Sequence, residues 1–180
     1  MDDLGRLSPE GFKAAKKLPL IIILDNIRSM HNVGSVFRTA DAFLCEQIML
    51  CGYTPQPPHR DIHKTALGAT ETVAWSYCKD TLEAVAEART KGYAVFSVEQ
   101  AVNSISTENM NALKTLQPES LAKGLVLVLG NEVQGVDQQV IDASDGCLEI
   151  PQYGTKHSLN ISVAAGIVIW EASKLLRSIE

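Results

Sequence analysis

The chain has 180 residues, 46% of them hydrophobic and 21% charged, with a formal net charge of −5. It is apolar enough to bury one sizeable core and too ordinary in charge for a disordered chain. The acidic balance excludes a general nucleic-acid coat, whose footprint would be basic, and no apolar run reaches the roughly 18 uncharged residues of a membrane-spanning helix.

Met1-Asp2-Asp3 carries neither a basic leader nor an apolar signal core, so a cytoplasmic location is the expectation. Residues 1–19 read as a short amphipathic helical extension, capped by Ser8, opened by Pro9 and stopped by Pro19. Lys13, Lys16 and Lys17 lie along it as a solvated face or an RNA-facing patch. Leu20-Ile-Ile-Ile-Leu24 is a continuous apolar run, as expected of a strand covered on both faces of a parallel sheet. A helix is predicted over 33–44. Further strands of the same kind are predicted at 47–51, 73–77, 94–98, 125–129 and 148–150. Helices are predicted at 81–91, closed by Gly92, at 138–143, capped by Asp137, and at 159–179. The proline-rich stretch 53–60 is a loop, and the polar stretch 103–120 is a loop with a short helix. This alternation predicts one α/β domain over residues 1–180, with a mostly parallel sheet flanked by helices.

Charge is unevenly spread. Residues 1–64 hold eight Lys/Arg against seven Asp/Glu, and residues 65–180 hold eight against fourteen, so any RNA contact is local and favours the N-terminal third. The basic stretch His59-Arg-Asp-Ile-His-Lys64 reads as a lid, an RNA contact or a solvated loop. His59 and His63 stand at i, i+4 without a third ligand nearby, so no metal is expected. Cys45, Cys51, Cys78 and Cys147 form no C-x-x-C pair and read as buried thiols.

Three polar, glycine-bearing turns follow apolar runs, at 32–38, 130–135 and 150–165. Free N–H groups and polar side chains at a helix start make a site for a small polar or anionic ligand. The familiar nucleotide motifs do not fit. Asp25-Asn26-Ile27-Arg28 stands where a dinucleotide fingerprint needs its glycines, and Gly130-x-x-x-x-Gly135 continues Val136-Asp137 without the P-loop lysine. Ser158 lacks the G-x-S-x-G setting of a hydrolase nucleophile.

In these turns the sequence resembles the SpoU (TrmH-like) branch of the SPOUT RNA methyltransferases, over residues 20–44, 125–137 and 146–172. Asn32-x-Gly34-x-x-x-Arg38-Thr-Ala is similar to the first family motif, and Gly130-x-Glu132-x-x-Gly135 to the second. Ile150-Pro-x-x-Gly154-x-x-x-Ser158-Leu-Asn160-Ile-Ser-Val-Ala is similar to the third; Gln152 stands where the family often has Met. The resemblance implies a deep C-terminal trefoil knot, a homodimer, S-adenosylmethionine as cofactor and methylation of an RNA ribose 2′-hydroxyl. It also implies a minimal catalytic form without the extra RNA-binding domain of larger members. A compact domain with an acidic body suits tRNA better than rRNA.

The resemblance places the cofactor on backbone groups at Gly130, Ile150 and Leu159, with Val98 at the rim. Arg38 is the leading catalytic candidate. It lies among Val33, Val36, Phe37, Ala40, Phe43 and Leu44, where an arginine needs a partner such as Asp41 or Glu132. A guanidinium holds its proton too strongly to act as a base. Its expected role is to grip the reacting nucleotide's phosphate and steady the forming 2′-oxyanion. Asn32 would orient Arg38 or the ribose, or cap its helix; Glu132 would fix Arg38 or Asn160, or merely be a solvated turn residue. Ser158 and Asn160 would bind substrate or close the cofactor pocket, with Ser158 also a candidate N-cap of the last helix. That helix offers Trp170 and Leu176 as a dimer surface. The competing readings are a catalytically silent knotted protein that holds RNA or cofactor, and an unrelated α/β enzyme.

Overall fold

A computed structural model describes residues 7–156 and 158–179; residues 1–6 of the predicted extension lie outside them. Its frame is one seven-stranded sheet, all parallel. In chain order the strands are β1 (Leu18–Asp25), β2 (Cys45–Cys51), β3 (Ala74–Cys78), β4 (Ala94–Val98), β5 (Ile105–Ser106), β6 (Leu125–Leu129) and β7 (Gly146–Glu149). Across the sheet they run β3-β2-β1-β6-β4-β7-β5. The α/β expectation therefore holds, and β4 and β6 have the predicted bounds.

The apolar run of β1 is explained by two cores, one on each face. Leu20, Ile22 and Leu24 pack into the larger cluster, under α2 (Met30–Ala42) and α9 (Ile161–Arg177). Ile21 and Ile23 pack into the smaller one, against α5 (Thr81–Thr90) and α8 (Gln138–Ala143). A strand whose alternate side chains enter two different cores has no polar face to show in sequence. Cys45, Cys51 and Cys147 are buried as predicted, and burial pushes the Cys45 and Cys51 thiols up to about 12. Cys78 is only partly buried.

Several boundaries differ from expectation. The first helix, α1 (Pro9–Ala14), is capped by Ser8 as predicted, its hydroxyl accepting from the Gly11 N–H at 3.0 Å. Pro19 does not stop it but lies inside β1, where the pairing register slips between Leu18 and Ile21. The chain turns extended at Ala15, and the Lys17 ammonium donates to the Phe12 and Ala15 carbonyls at that end. That lysine serves the helix end and not an open patch.

The predicted loop 59–64 is the start of a helix, α3 (Arg60–Ala66), capped by His59 Nδ1, which accepts from the Asp61 N–H at 3.2 Å. A four-residue helix, α4 (Ala69–Thr72), follows it. With only Ile62 and Ala66 buried, α3 is too short to leave a periodic signature. The stretch 103–120 holds β5, a 3₁₀ turn (Thr107–Ala112), α6 (Leu113–Leu116) and the start of α7 (Pro118–Lys123). No helix among the described residues is long and apolar enough to cross a membrane.

Candidate active site

The carboxyl ends of β4, β6 and β7 open into a cleft of about 800 Å³. Such crevices beyond the strand ends are where parallel sheets hold ligands. Val98, Gly130, Ile150 and Leu159, the four residues expected to touch a cofactor, all line it. So do Glu132 and Ser158.

The turn after β6 is built to stay tight. Asn131 and Gly135 exchange backbone hydrogen bonds at 2.9 Å each way. The Asn131 side-chain oxygen accepts from the Val133 and Gln134 N–H groups at 2.8 and 3.0 Å. Gly135 has φ +72°, and a Cβ there would collide with the Glu99 carboxylate; a Cβ on Gly130 would collide with the Gly135 backbone.

Glu132 leaves this turn toward the start of α2. Its carboxylate accepts from the Arg28 N–H at 2.9 Å, the Ser29 N–H at 3.0 Å and the Asn32 side-chain amide at 3.0 Å. Burial alone would raise its pKa, but these donors outweigh that and hold its carboxyl below the usual carboxylate range. The amide orientations are forced by the chain of acceptors. A carboxylate only accepts, so Asn32 gives it an N–H and keeps its oxygen free. That oxygen accepts from the Asn160 amide at 3.2 Å, and the Asn160 oxygen accepts from the Ser162 N–H at 2.9 Å. All three turns are thus joined by two side-chain hydrogen bonds.

Three expectations are corrected by this geometry. The cap of α2 is Ser29, accepting from the Asn32 N–H at 3.3 Å, which starts the helix three residues early and places Asn32 within its first turn. The cap of α9 is Asn160 and not Ser158; Asn160 was expected inside the helix and instead opens it. Arg38 is exposed and does not line the cleft, and among the described residues it makes no hydrogen bond or ion pair. Neither expected partner meets it, since Asp41 accepts from Thr72 at 2.5 Å and Glu132 is taken by the three donors above. The physical reason is angular. Val33, Val36, Phe37 and Ala40 are the buried face of α2, and Arg38 projects about 100° beyond Phe37, with His31 on the solvent side. An arginine on that face carries no desolvation cost.

Two cleft residues were not foreseen. Glu99 follows β4 directly, and its carboxylate accepts from the Gln100 and Val136 N–H groups at 2.9 and 3.1 Å. A charge immediately after a predicted buried strand was the sequence signal available for Glu99. Asn131 is buried and donates to the Asn26 carbonyl at 2.8 Å and the Tyr53 hydroxyl at 2.7 Å, contacts no local pattern could suggest.

The profile of the SpoU rRNA Methylase family matches residues 19–170. The chain belongs to the SpoU methylase family. Among its relatives, it is 29% identical over 156 residues to the tRNA (guanosine(18)-2′-O)-methyltransferase of Aquifex aeolicus (strain VF5), covering 86% of this chain and 69% of that protein. It is 30% identical over 159 residues to a putative TrmH family tRNA/rRNA methyltransferase of Staphylococcus aureus (strain MSSA476), covering 88% of this chain and 60% of that protein. The SpoU fold is matched by the crystal structure of the A. aeolicus TrmH/SpoU tRNA modifying enzyme at TM-score 0.78 and 24% identity, over 95% of this chain and 81% of that one. It is matched equally, at TM-score 0.78 and 25% identity, by the AdoMet-bound rRNA methyltransferase of Sinorhizobium meliloti, over 94% of this chain and 61% of that one. The cofactor of this family is S-adenosylmethionine.

Proposed function

We propose that this SpoU chain is an S-adenosylmethionine-dependent RNA ribose 2′-O-methyltransferase that acts on tRNA in the cytoplasm, as a single knotted domain paired with a second copy of itself. The observation that carries the reading is the Glu132–Asn32–Asn160 linkage at the mouth of the cleft, which brings the three motif segments to one place.

The cleft fits the cofactor. Val98, Leu129, Leu148 and Ile150 offer an apolar slot for a purine, and the turn after β6 offers backbone groups to polar ends. The Glu99 and Glu132 carboxylates give it an anionic wall suited to a cationic ligand. When bound, S-adenosylmethionine supplies a methyl group activated on a positively charged sulfur.

The protein's part is then positioning. Glu132, saturated by donors and held ionised, is a poor base; it fixes Asn32, and Asn32 fixes Asn160. Those two amides and the Ser158 hydroxyl face the reacting ribose. Arg38, exposed and uncommitted, grips a phosphate of the reacting nucleotide. The 2′-hydroxyl proton passes to that phosphate or to solvent as the oxygen takes the methyl group. The Aquifex relative carries a 2′-O-methyltransferase name and a tRNA substrate, which supports this reaction and this RNA.

Equilibrium dialysis with S-adenosylmethionine, followed by tritiated methyl transfer to bulk tRNA and to rRNA, tests the reading. Label is expected in tRNA, in dinucleotides that resist alkali, because a methylated 2′-oxygen cannot attack the neighbouring phosphate. Label in rRNA alone would move the substrate. Binding without label would leave a silent cofactor-binding protein.

A further inference from the structure

A second cleft, of about 600 Å³, lies at the β3 edge of the sheet. Trp75, Pro57, Pro58 and Ile62 give it apolar and aromatic walls, and Arg60 and His63 stand on its rim. Nothing in the reaction described above uses it.

Its position is tied to the candidate active site. Gly34 of α2 meets α3 so closely that a Cβ would run into Thr65 and the Ile62 carbonyl. The Thr65 hydroxyl donates to the His31 carbonyl at 3.0 Å, one residue from Asn32. Arg60 is five residues back along α3, roughly 8 Å from Thr65 at the helical rise. The cleft is therefore a fixed neighbour of the Asn32–Glu132 linkage.

Charge on this face is available to a ligand. Arg28, Arg38 and Arg60 are exposed, and among the described residues none makes an ion pair, whereas Arg89 is paired with Asp145 at 3.1 Å. The nearby carboxylates are largely occupied: Asp61 by Lys64 at 2.8 Å, Asp41 by Thr72 and Glu132 by its three donors. Among the described residues, Glu71 is the one carboxylate that lines the cleft, and it has no such partner there. An unpaired guanidinium on the rim, Arg60, matches a phosphate of a single strand, and an indole flanked by prolines takes a base by stacking.

We propose that this cleft is a subsite for a nucleotide flanking the methylated one, its base against Trp75 and its phosphate on Arg60. The proposal rests on the RNA reading above and adds the path of the strand, from the Asn32–Glu132 linkage past His31 to α3. An acidic peptide would use the same rim, but stacking and proximity to the reacting ribose favour RNA.

Steady-state methyl transfer to bulk tRNA tests it, with Arg60→Ala and Trp75→Phe compared with the unaltered protein. Arg60→Ala is expected to raise KM for tRNA about tenfold, with kcat and S-adenosylmethionine affinity held, and to make the slope of log K against log salt shallower by roughly 1. Trp75→Phe is expected to remove part of the fluorescence quenching that tRNA produces. Unchanged KM and salt slope in Arg60→Ala, in a protein that still methylates tRNA, overturn the subsite and leave the RNA reading standing. Failure of the unaltered protein to bind or methylate any RNA overturns both. Trp75 quenching by poly-glutamate that tRNA does not displace also overturns the subsite.

Discussion

Glu132 accepts three hydrogen bonds from the start of α2 while keeping its charge, so it is the residue on which the linkage depends. Glu132→Gln would put an amide nitrogen among those donors and leave at least one unpaired. The expected cost is ~1 kcal/mol, a modest figure because the site is exposed, read as a fall of a few degrees in Tm, with methyl transfer lost more severely than cofactor binding. Because the folded pKa of Glu132 is lowered, its contribution to stability is fully present above the ordinary carboxylate range and disappears as pH falls through the folded value. Urea midpoints from pH 6 downward should therefore drop less in Glu132→Gln than in the unaltered protein. Arg38 makes the opposite case. With no partner to lose among the described residues, Arg38→Ala should leave Tm within a degree or so, abolish methyl transfer, and change cofactor affinity no more than a few fold. Arg38→Lys should rescue little, because a point charge does not reproduce the planar fork. Full activity in Arg38→Ala would remove Arg38 from the mechanism, and full activity in Arg38→Lys would show that a point charge suffices.

At the scale of elements, α2 is held on three sides: by β2, by α9 and, through Gly34, by α3. Its buried face reads plainly in the sequence as Val33, Val36, Phe37 and Ala40. The contact with α3 does not, since it depends on a missing side chain meeting a seven-residue helix that carries no pattern of its own. Gly34→Ala should push α3 outward and cost about 1–3 kcal/mol, lowering Tm by several degrees. An unchanged Tm would mean that α3 yields freely and is no rigid neighbour of the linkage. Caps were legible where one candidate stood alone, as with Ser8 and Asp137. They were misread where polar residues crowd together, as with Ser29 against Asn32 and Ser158 against Asn160. Each of those side chains suits a cap, and only the path of the chain selects one.

On the whole molecule, α9 carries an uncovered stripe. Val163 and Trp170 are each about half exposed, at 50% and 51%, with Trp170 tilted against Phe43 at 5.7 Å. Leu176, expected beside them, is buried at 3%, because α9 packs a wide arc against α2, β1 and the 3₁₀ turn. We expect the stripe to hold the second copy, so Trp170→Glu should convert a dimer to monomers in sedimentation equilibrium; a monomeric unaltered protein would refute the pairing. The sequence by itself determined the parallel α/β frame, because strands buried on both faces must be apolar throughout, and it pointed to a cleft at the sheet's carboxyl edge, because the glycine turns at 130–135 and 150–154 directly follow such strands. Only the tertiary structure decided what those turns do to one another. Glu132 lies 100 residues from Asn32, and Asn160 lies 128, so their hydrogen bonds have no local signature. The exposure of Arg38 was likewise settled by which arc of α2 the sheet and α9 cover.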